Sequence, residues 1–587
     1  MPLRWLSLPF DLLVLAFMLS AALSLLPAYD RAAGWPTLAA VLAAGAAYFA
    51  AAHLVASGRA ARRCGRLLVL AALGYVLLFI LLYGHQDYTG TPDAILRLGA
   101  FTTALPDLPI HIYPNNSPAA AAVGALPLAV ALALSSRREV AQRALWWAVV
   151  AALGYGLLLA FSRGAFVALA LTLLIALLTL ALPRRAALLL ALLVALGAAA
   201  ALLARPLLAP ALEWTLGRYD LYRNSLYLVQ DYAFTGIGLG GPFTLVYSRF
   251  GLLIQVPFLE HPHNLPLTVW MGQGLLGLAA ALGLVATFYL FVRKVARSAR
   301  PHRLFHGAWL GVTATLLHGL FDAQQYDSGA LLLLPLLFAL IGLTVASGRQ
   351  ALHKAYWRQH TEVSLRYIPR LLPVALLLLL LVTSAIFRPQ LTAAWDTNLG
   401  ALAETQAALA PDLSAAQRFA LYDEALLRYA AALEQAPGWP SASRRLGNLN
   451  VTLGEFDAAV PLLETAAAAE PDNPAALKGL GLAYTWAGRA QDAAAVFRRL
   501  EDPGAMASEL STWGFYRRDQ GQPLLAAYAW DAMQAMNPDA ASVDVLLLLA
   551  ETYRGAGDTA RARQHFQRVL ALDPQNTAAR QALATPG

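Results

Sequence analysis

The sequence predicts an all-α chain in two parts: a polytopic membrane helix bundle of about 11 spans, then an extracytoplasmic solenoid of paired helices. Three observations carry that prediction. Of the 587 residues 58% are hydrophobic and 13% charged, and the mean hydropathy of +0.54 excludes an ordinary soluble enzyme. Apolar runs of about 18 to 25 residues, each enough to cross roughly 30 Å of hydrocarbon, recur between positions 7 and 388, and 389–587 has none. That second part instead repeats itself at a spacing of 34 residues.

The spans are expected near 7–28, 35–56, 67–84, 116–135, 144–161, 165–182, 186–204, 266–291, 306–321, 328–346 and 371–387. Basic residues fall in every second connection: Arg59, Arg62, Arg63 and Arg66; Arg137, Arg138 and Arg143; Arg184 and Arg185; Arg293 to Arg303; Arg349 to Arg370. By the positive-inside rule these loops are cytoplasmic, which places the N-terminus inside and everything after Phe387 outside. The net charge of +8 is then largely topogenic, and with no basic run interleaved with aromatics, no nucleic-acid partner is expected. The first span lacks a small-residue cleavage site and is expected to be a retained helix. Cys64, the single cysteine, has no disulfide partner within the chain, and no Cys/His spacing suggests a metal site.

Two outward loops, 85–115 and 205–265, are long for a membrane bundle, and such loops are where binding and chemistry are placed. The second contains an amphipathic helix expected near 217–232, a glycine cluster GIGLGG at 236–241, and HPHN at 261–264. GIGLGG lacks the strand–helix context and the lysine of a phosphate cradle, so it reads as a tight turn.

His263-Asn264 followed by Gly274 and Gly277 resembles the signature of the O-antigen ligase-like superfamily, which includes O-antigen ligases, bacterial O-linked oligosaccharyltransferases and related polymerases. FSRGAF at 161–166, GRYDLYRNSLYLVQDYAFTGIGLGG at 217–241 and HGLFDAQQYDSG at 318–329 resemble the same group in the same order, with Tyr222 where tryptophan is more usual. The likeness covers roughly residues 60 to 350. It implies transfer of a glycan from a polyprenyl-diphosphate carrier, at the outer face of the bacterial cytoplasmic membrane, to a lipid, protein or glycan acceptor. It implies no metal, nucleotide sugar or other cofactor. By the same resemblance Arg163, Arg218 and His263 are the catalytic candidates.

The chemistry of these side chains is compatible with that task. A departing lipid diphosphate gathers negative charge at the bridging oxygen, and guanidinium forks bind phosphate bidentately without losing their charge. An imidazole near neutral pH either accepts the acceptor hydroxyl's proton or orients that hydroxyl. Arg223, Arg97, Arg249 and Asn264 are weaker candidates for donor contacts, and His261 and Asp322 for supporting roles. Each also has a plainer reading: an arginine at a helix end snorkels to headgroups, a loop arginine is solvated, and His263-Asn264 caps the next helix. Arg163 lies at an outward junction, where a topogenic arginine does not belong. Gly274 and Gly277 are read as sites of close helix approach.

In the second part Leu446, Gly447 and Gly454 align with Leu480, Gly481 and Gly488; Gly514, Gly521, Ala526, Trp530 and Pro538 follow in register, then Ala550, Tyr553, Gly557, Ala562, Phe566 and Pro574. This resembles tetratricopeptide repeats, about five of them over 406–578, after a linker at 389–405. The resemblance implies a docking surface for a protein partner. Function thus lies between a glycan ligase or oligosaccharyltransferase and a polymerase of lipid-linked units. A transporter or assembly scaffold fits less well, because the polar residues gather at the outer surface rather than at midplane.

Overall fold

The computed structural model describes residues 7–85, 91–104, 116–135, 140–181, 183, 186, 213–240, 243–252, 259–326, 332–359, 385–538 and 542–584. Among these every regular element is helical. Contacts divide the chain into two compact units, Met1–Thr244 with Phe258–Leu377, and Leu245–Pro257 with Leu378–Gly587.

In the first unit the helices are α1 (Leu8–Leu23), α2 (Arg31–Phe49), α3 (Gly58–Leu82), α4 (Asp93–Gly99), α5 (Asn116–Ser135), α6 (Val140–Ala160), α7 (Arg163–Ala176), α8 (Glu213–Gln230), α9 (Phe243–Phe250), α10 (Leu265–Ser298), α11 (Arg303–His318) and α12 (Leu333–Gln359). Helix α9 crosses the boundary, since Leu245 onward belongs to the second unit. Polar side chains set several starts: Asp30 accepts the Ala33 N–H, Ser57 the Ala60 N–H and Asn264 the Leu267 N–H, each at 3.1 Å.

Among the described residues seven helices are long and apolar enough to cross a membrane, and this is a multi-pass membrane protein. They answer to seven of the expected spans. The expected first and ninth spans are the shorter helices Leu8–Leu23 and Arg303–His318, of 16 residues each. The seventh, 186–204, and eleventh, 371–387, lie outside the described residues apart from 186 and 385–387. Burial separates centre from rim: 78% of the apolar window of Asn116–Ser135 is buried against 17% for Arg163–Leu180, whose Leu173, Leu177 and Leu180 suit a lipid face. At the centre α5 and α11 approach closely, and a Cβ on Gly307 would stand 2.9 Å from the Pro127 carbonyl oxygen.

Helix α10 is broken at Gly274, which takes φ 65° and ψ −165°. That break receives the chain after α8: Leu275 N–H donates to the Phe234 carbonyl at 3.1 Å, Ile237 N–H to the Met271 carbonyl at 2.6 Å, and the Trp270 indole to the Ala233 carbonyl at 2.8 Å. Gly274 is therefore more than the packing residue expected. It opens the helix for a turn that a Cβ would exclude, because that atom would fall on Phe234. Gly277 keeps its packing role, with Ser20 Oγ of α1 3.2 Å from where its Cβ would be. The glycine turn predicted at 236–241 is present, with Gly236, Gly238 and Gly240 all at positive φ.

The second unit contains α13 (Arg388–Leu409), α14 (Ala415–Gln435), α15 (Pro440–Leu453), α16 (Phe456–Ala469), α17 (Pro474–Trp486), α18 (Ala490–Phe497), α19 (Pro503–Asp519), α20 (Pro523–Met536), α21 (Val543–Gly555), α22 (Thr559–Leu572) and α23 (Thr577–Ala584). Successive pairs follow the predicted register. A Cβ on Gly447 would stand 2.5 Å from Leu463 Cγ, and Gly481 and Gly514 likewise make room for Phe497 and Trp530 on the following helix. Residues 389–405, expected as a linker, are helical within α13, with Ala393, Thr397, Ala401 and Glu404 buried. Glu404 accepts from the Tyr429 hydroxyl at 2.6 Å and pairs with Arg445 at 3.2 Å, so this helix packs on the helices that follow it.

Candidate active site

The site is assembled around the turn that follows α11. Residues 319–323 lead from His318 to the short helical turn Gln324–Tyr326, and other segments close on them. Gly164, next to Arg163 at the start of α7, lies so near that a Cβ there would stand 2.8 Å from Phe321 Cβ. Arg218 on α8 donates from Nη1 to the Phe321 carbonyl. One turn along α8, the Tyr222 hydroxyl lies 3.0 Å from the carbonyl oxygens of both His263 and Leu320. Asn264 Nδ2 donates to the Leu320 carbonyl at 3.2 Å, and Leu265 N–H to the Gly319 carbonyl at 2.6 Å.

This clasp holds His263 in a conformation that L-residues rarely adopt, with φ 50°. Asn264 anchors it from the next position, capping α10 with Oδ1 while Nδ2 grips the turn. Both side-chain groups of Asn264, a residue expected to contact the donor, are thus engaged within the fold. His263 Nδ1 lies 3.4 Å from Asp322 Oδ1, and its side chain is one-quarter exposed whereas that of Asp322 is buried.

His261 completes the cluster. Its Nδ1 accepts the His263 backbone N–H at 3.1 Å, which leaves the proton of a neutral ring on Nε2, 3.5 Å from Asp322 Oδ1. Burial lowers its pKa to about 4 despite the opposing pull of Asp322, so the ring is neutral near pH 7. Burial by itself would raise the Asp322 carboxyl, but the hydrogen bond with His263 and the neighbouring imidazoles hold it below the usual carboxylate range. Asp322 Oδ1 also accepts the Ala323 N–H at 2.7 Å and faces Gln324 Nε2 at 3.3 Å, while Oδ2 has no hydrogen-bond partner among the described residues.

The three side chains bring one ligand atom each within 4.8 Å of one another, a set that offers metal-ligand types as well as acid–base groups. Sequence spacing indicated no such cluster, because His261 and His263 meet Asp322 from two separate loops. Reading the sequence also missed three members. His318 is buried with neither ring nitrogen bonded among the described residues, Gln324 meets His261 Nε2 at 3.2 Å, and Tyr326 shares with His261 the lining of a cavity of about 260 Å³. All three fall within the 318–329 segment, whose likeness to a late-helix element was the available signal.

The weaker arginine candidates are placed elsewhere. Arg223 pairs with Asp220 at 3.0 Å along its own helix. Arg97 is exposed on α4, whose Leu98 carbonyl accepts from Tyr155 of α6 at 2.8 Å. Arg249 is exposed on the part of α9 that belongs to the second unit. Arg163, exposed at the first position of α7, reaches the cluster's edge through its neighbour Gly164.

Fold and site together define a multi-pass helical membrane protein with a polar cluster gathered at helix ends and a helical-repeat region after it. Comparison with known families makes this specific: the chain carries an O-antigen ligase domain, matched over residues 147–282, and tetratricopeptide repeats, matched over 444–506 and 543–585. The ligase match supports a function of the membrane glycan ligase or polymerase type. No curated protein matches it. Among solved structures, the MamA protein matches at 18% identity over 33% of this chain and 98% of its own, with a TM-score of 0.18. A thermophilic tetratricopeptide-repeat protein from Thermus thermophilus matches at 21% identity over 28% of this chain and 90% of its own, with a TM-score of 0.15.

Proposed function

We propose that this protein transfers a glycan from a polyprenyl-diphosphate carrier to a hydroxyl acceptor at the outer face of the cytoplasmic membrane. The observation that carries the reading is the His263–Asp322 pair, 3.4 Å apart, with Arg218 of α8 bonded to the same turn through the Phe321 carbonyl. In this mechanism the acceptor oxygen attacks the anomeric carbon and the bond to the diphosphate breaks, its electron pair leaving with the phosphate. The hydroxyl proton passes to His263 Nε2, while Asp322 holds the ring through Nδ1 and stabilises the imidazolium. Arg218 keeps further N–H donors after its bond to Phe321, and with Arg163 it balances the charge on the leaving diphosphate.

A second feature supports a lipid-linked donor. An apolar cavity of about 240 Å³, lined among others by Leu265, Pro266, Leu316, Leu320 and Leu337, adjoins the turn through Leu265 and Leu320 and has the chemistry of an isoprenoid site. The reading makes the outer face the side of the repeats, in accord with the basic-loop pattern. A polymerase differs only in taking another lipid-linked glycan as acceptor, and the cluster by itself favours neither acceptor.

The test is transfer by purified protein from a lipid-linked oligosaccharide, run with and without EDTA, together with the glycoconjugates of a deletion strain. Transfer that survives EDTA, with free lipid-linked polymer accumulating in the strain, is expected of a metal-independent ligase. Single unpolymerised units would assign polymerisation instead, and loss of transfer restored by a divalent cation would give the His261–His263–Asp322 cluster to a metal. No transfer to any acceptor and no change in the strain would end the reading.

A further inference from the structure

The first helices of tetratricopeptide pairs ordinarily leave one face open to a ligand. Helix α21 does so: its buried residues are the single stripe Leu546, Leu549, Ala550 and Tyr553. Helix α17 does not, because every residue from Ala475 to Trp486 is buried, including Lys478, which pairs with Glu509 at 2.6 Å. The start of α15 is similar, with Ser441, Ser443, Arg444 and Arg445 buried although they are polar. Something covers these helices.

Residues of the 205–265 loop contribute to that cover. Its segment 245–252 belongs to the same compact unit as the repeats, whereas Thr244 and Leu259 on either side belong to the membrane unit. Phe250 is buried, and the Arg444 guanidinium stands 4.9 Å from its ring centroid. Leu252 packs against the core built by the five helices α16 to α20. Leu252 also takes φ 50°, its N–H donating to the Arg249 carbonyl at 3.1 Å. A leucine keeps that backbone where its surroundings over-determine it, which marks a seated residue.

We propose that the resident ligand of the tetratricopeptide array is the chain's own segment 245–252, and that the repeats thereby hold the loop that carries His261 and His263. Only eight residues separate Leu252 from His261, so the seat limits where the histidine loop can go. A protein partner that used the same helices would have to displace this segment. The docking stands apart from the glycan-transfer reading; only its consequence for activity rests on it.

Hydrogen exchange on the full chain in lipid nanodiscs tests the docking. In the wild type the amides of 245–252 are expected to exchange at least tenfold more slowly than an unstructured peptide. In the double variant Phe250→Asp, Leu252→Asp they are expected to lose that protection, with faster exchange in α15 and α17 and none in α21 and α22. Peptide-like exchange of 245–252 in the wild type overturns the docking without recourse to any variant, and so does unaltered exchange of α15 and α17 in the double variant. Transfer assays then read the consequence. The double variant is expected to lose at least tenfold in transfer, and Phe250→Tyr, which keeps the ring, to retain it. Undocking with full transfer overturns the positioning role alone, whereas docking as expected with no transfer by any form overturns the glycan reading and leaves the docking in place.

Discussion

At the scale of single residues the site turns on Asp322, a buried carboxylate with two imidazoles at 3.4 and 3.5 Å. If His263 handles the acceptor proton, His263→Ala lowers transfer by about a hundredfold and leaves donor binding nearly unchanged. Asp322→Asn keeps the shape but removes the charge that stabilises the imidazolium, and is expected to cost at least about tenfold. Full transfer by a folded His263→Ala protein would remove the catalytic role; normal chemistry with lost donor binding would move His263 into the diphosphate site. His261 sets a pH dependence of stability. It titrates near 6.5 when unfolded and near 4 when folded, so the unfolded chain binds the extra proton between those values and stability falls as pH falls through that window. The loss is on the order of 3 kcal/mol, at 1.36 kcal/mol per pKa unit. Asp322, whose ordinary value is 3.8, adds its own loss only below that range. Unfolding midpoints of the purified protein from pH 7 to 4 check this, and His261→Asn is expected to flatten the slope; an unaltered slope would contradict the assignment.

At the scale of elements the decisive feature is the break in α10. Gly274 occupies a backbone region open essentially to glycine, and its neighbours leave no space for a Cβ, so Gly274→Ala is expected to destabilise the protein by about 2 kcal/mol or more. Gly272, two positions earlier, has no atom closer than 3.4 Å to its Cβ position, and Gly272→Ala is expected to be neutral or mildly stabilising. Thermal unfolding of the two variants side by side distinguishes the glycine at the break from an ordinary helical one. Helices of the repeat region were legible because small residues and aromatics recur in register, as where Gly481 admits Phe497. Helix α13 was not, because its buried face is made of Ala393, Thr397, Ala401 and Glu404, which carry no hydrophobic signal.

For the whole molecule, we propose from the basic-loop alternation that the repeats lie outside the cytoplasm. A phosphatase reporter, active only outside, fused after residue 400 is expected to be active there; activity solely from a cytoplasmic reporter at the same point would reverse the topology. What the sequence determined by itself was the membrane class, the repeat architecture, and the segments that supply Arg163, Arg218, His261, His263 and Asp322. The first two follow from composition and short-range spacing, which act locally along the chain; the segments were singled out by their resemblance to the O-antigen ligase-like group. Tertiary structure alone decided that Asn264 clamps the turn and that His318 and Gln324 join the cluster. It also decided that Asp322 serves two histidines some 59 residues away along the chain. Such pairings have no periodic signature, because they are fixed when separate helix ends pack together and bury polar groups that must then satisfy one another.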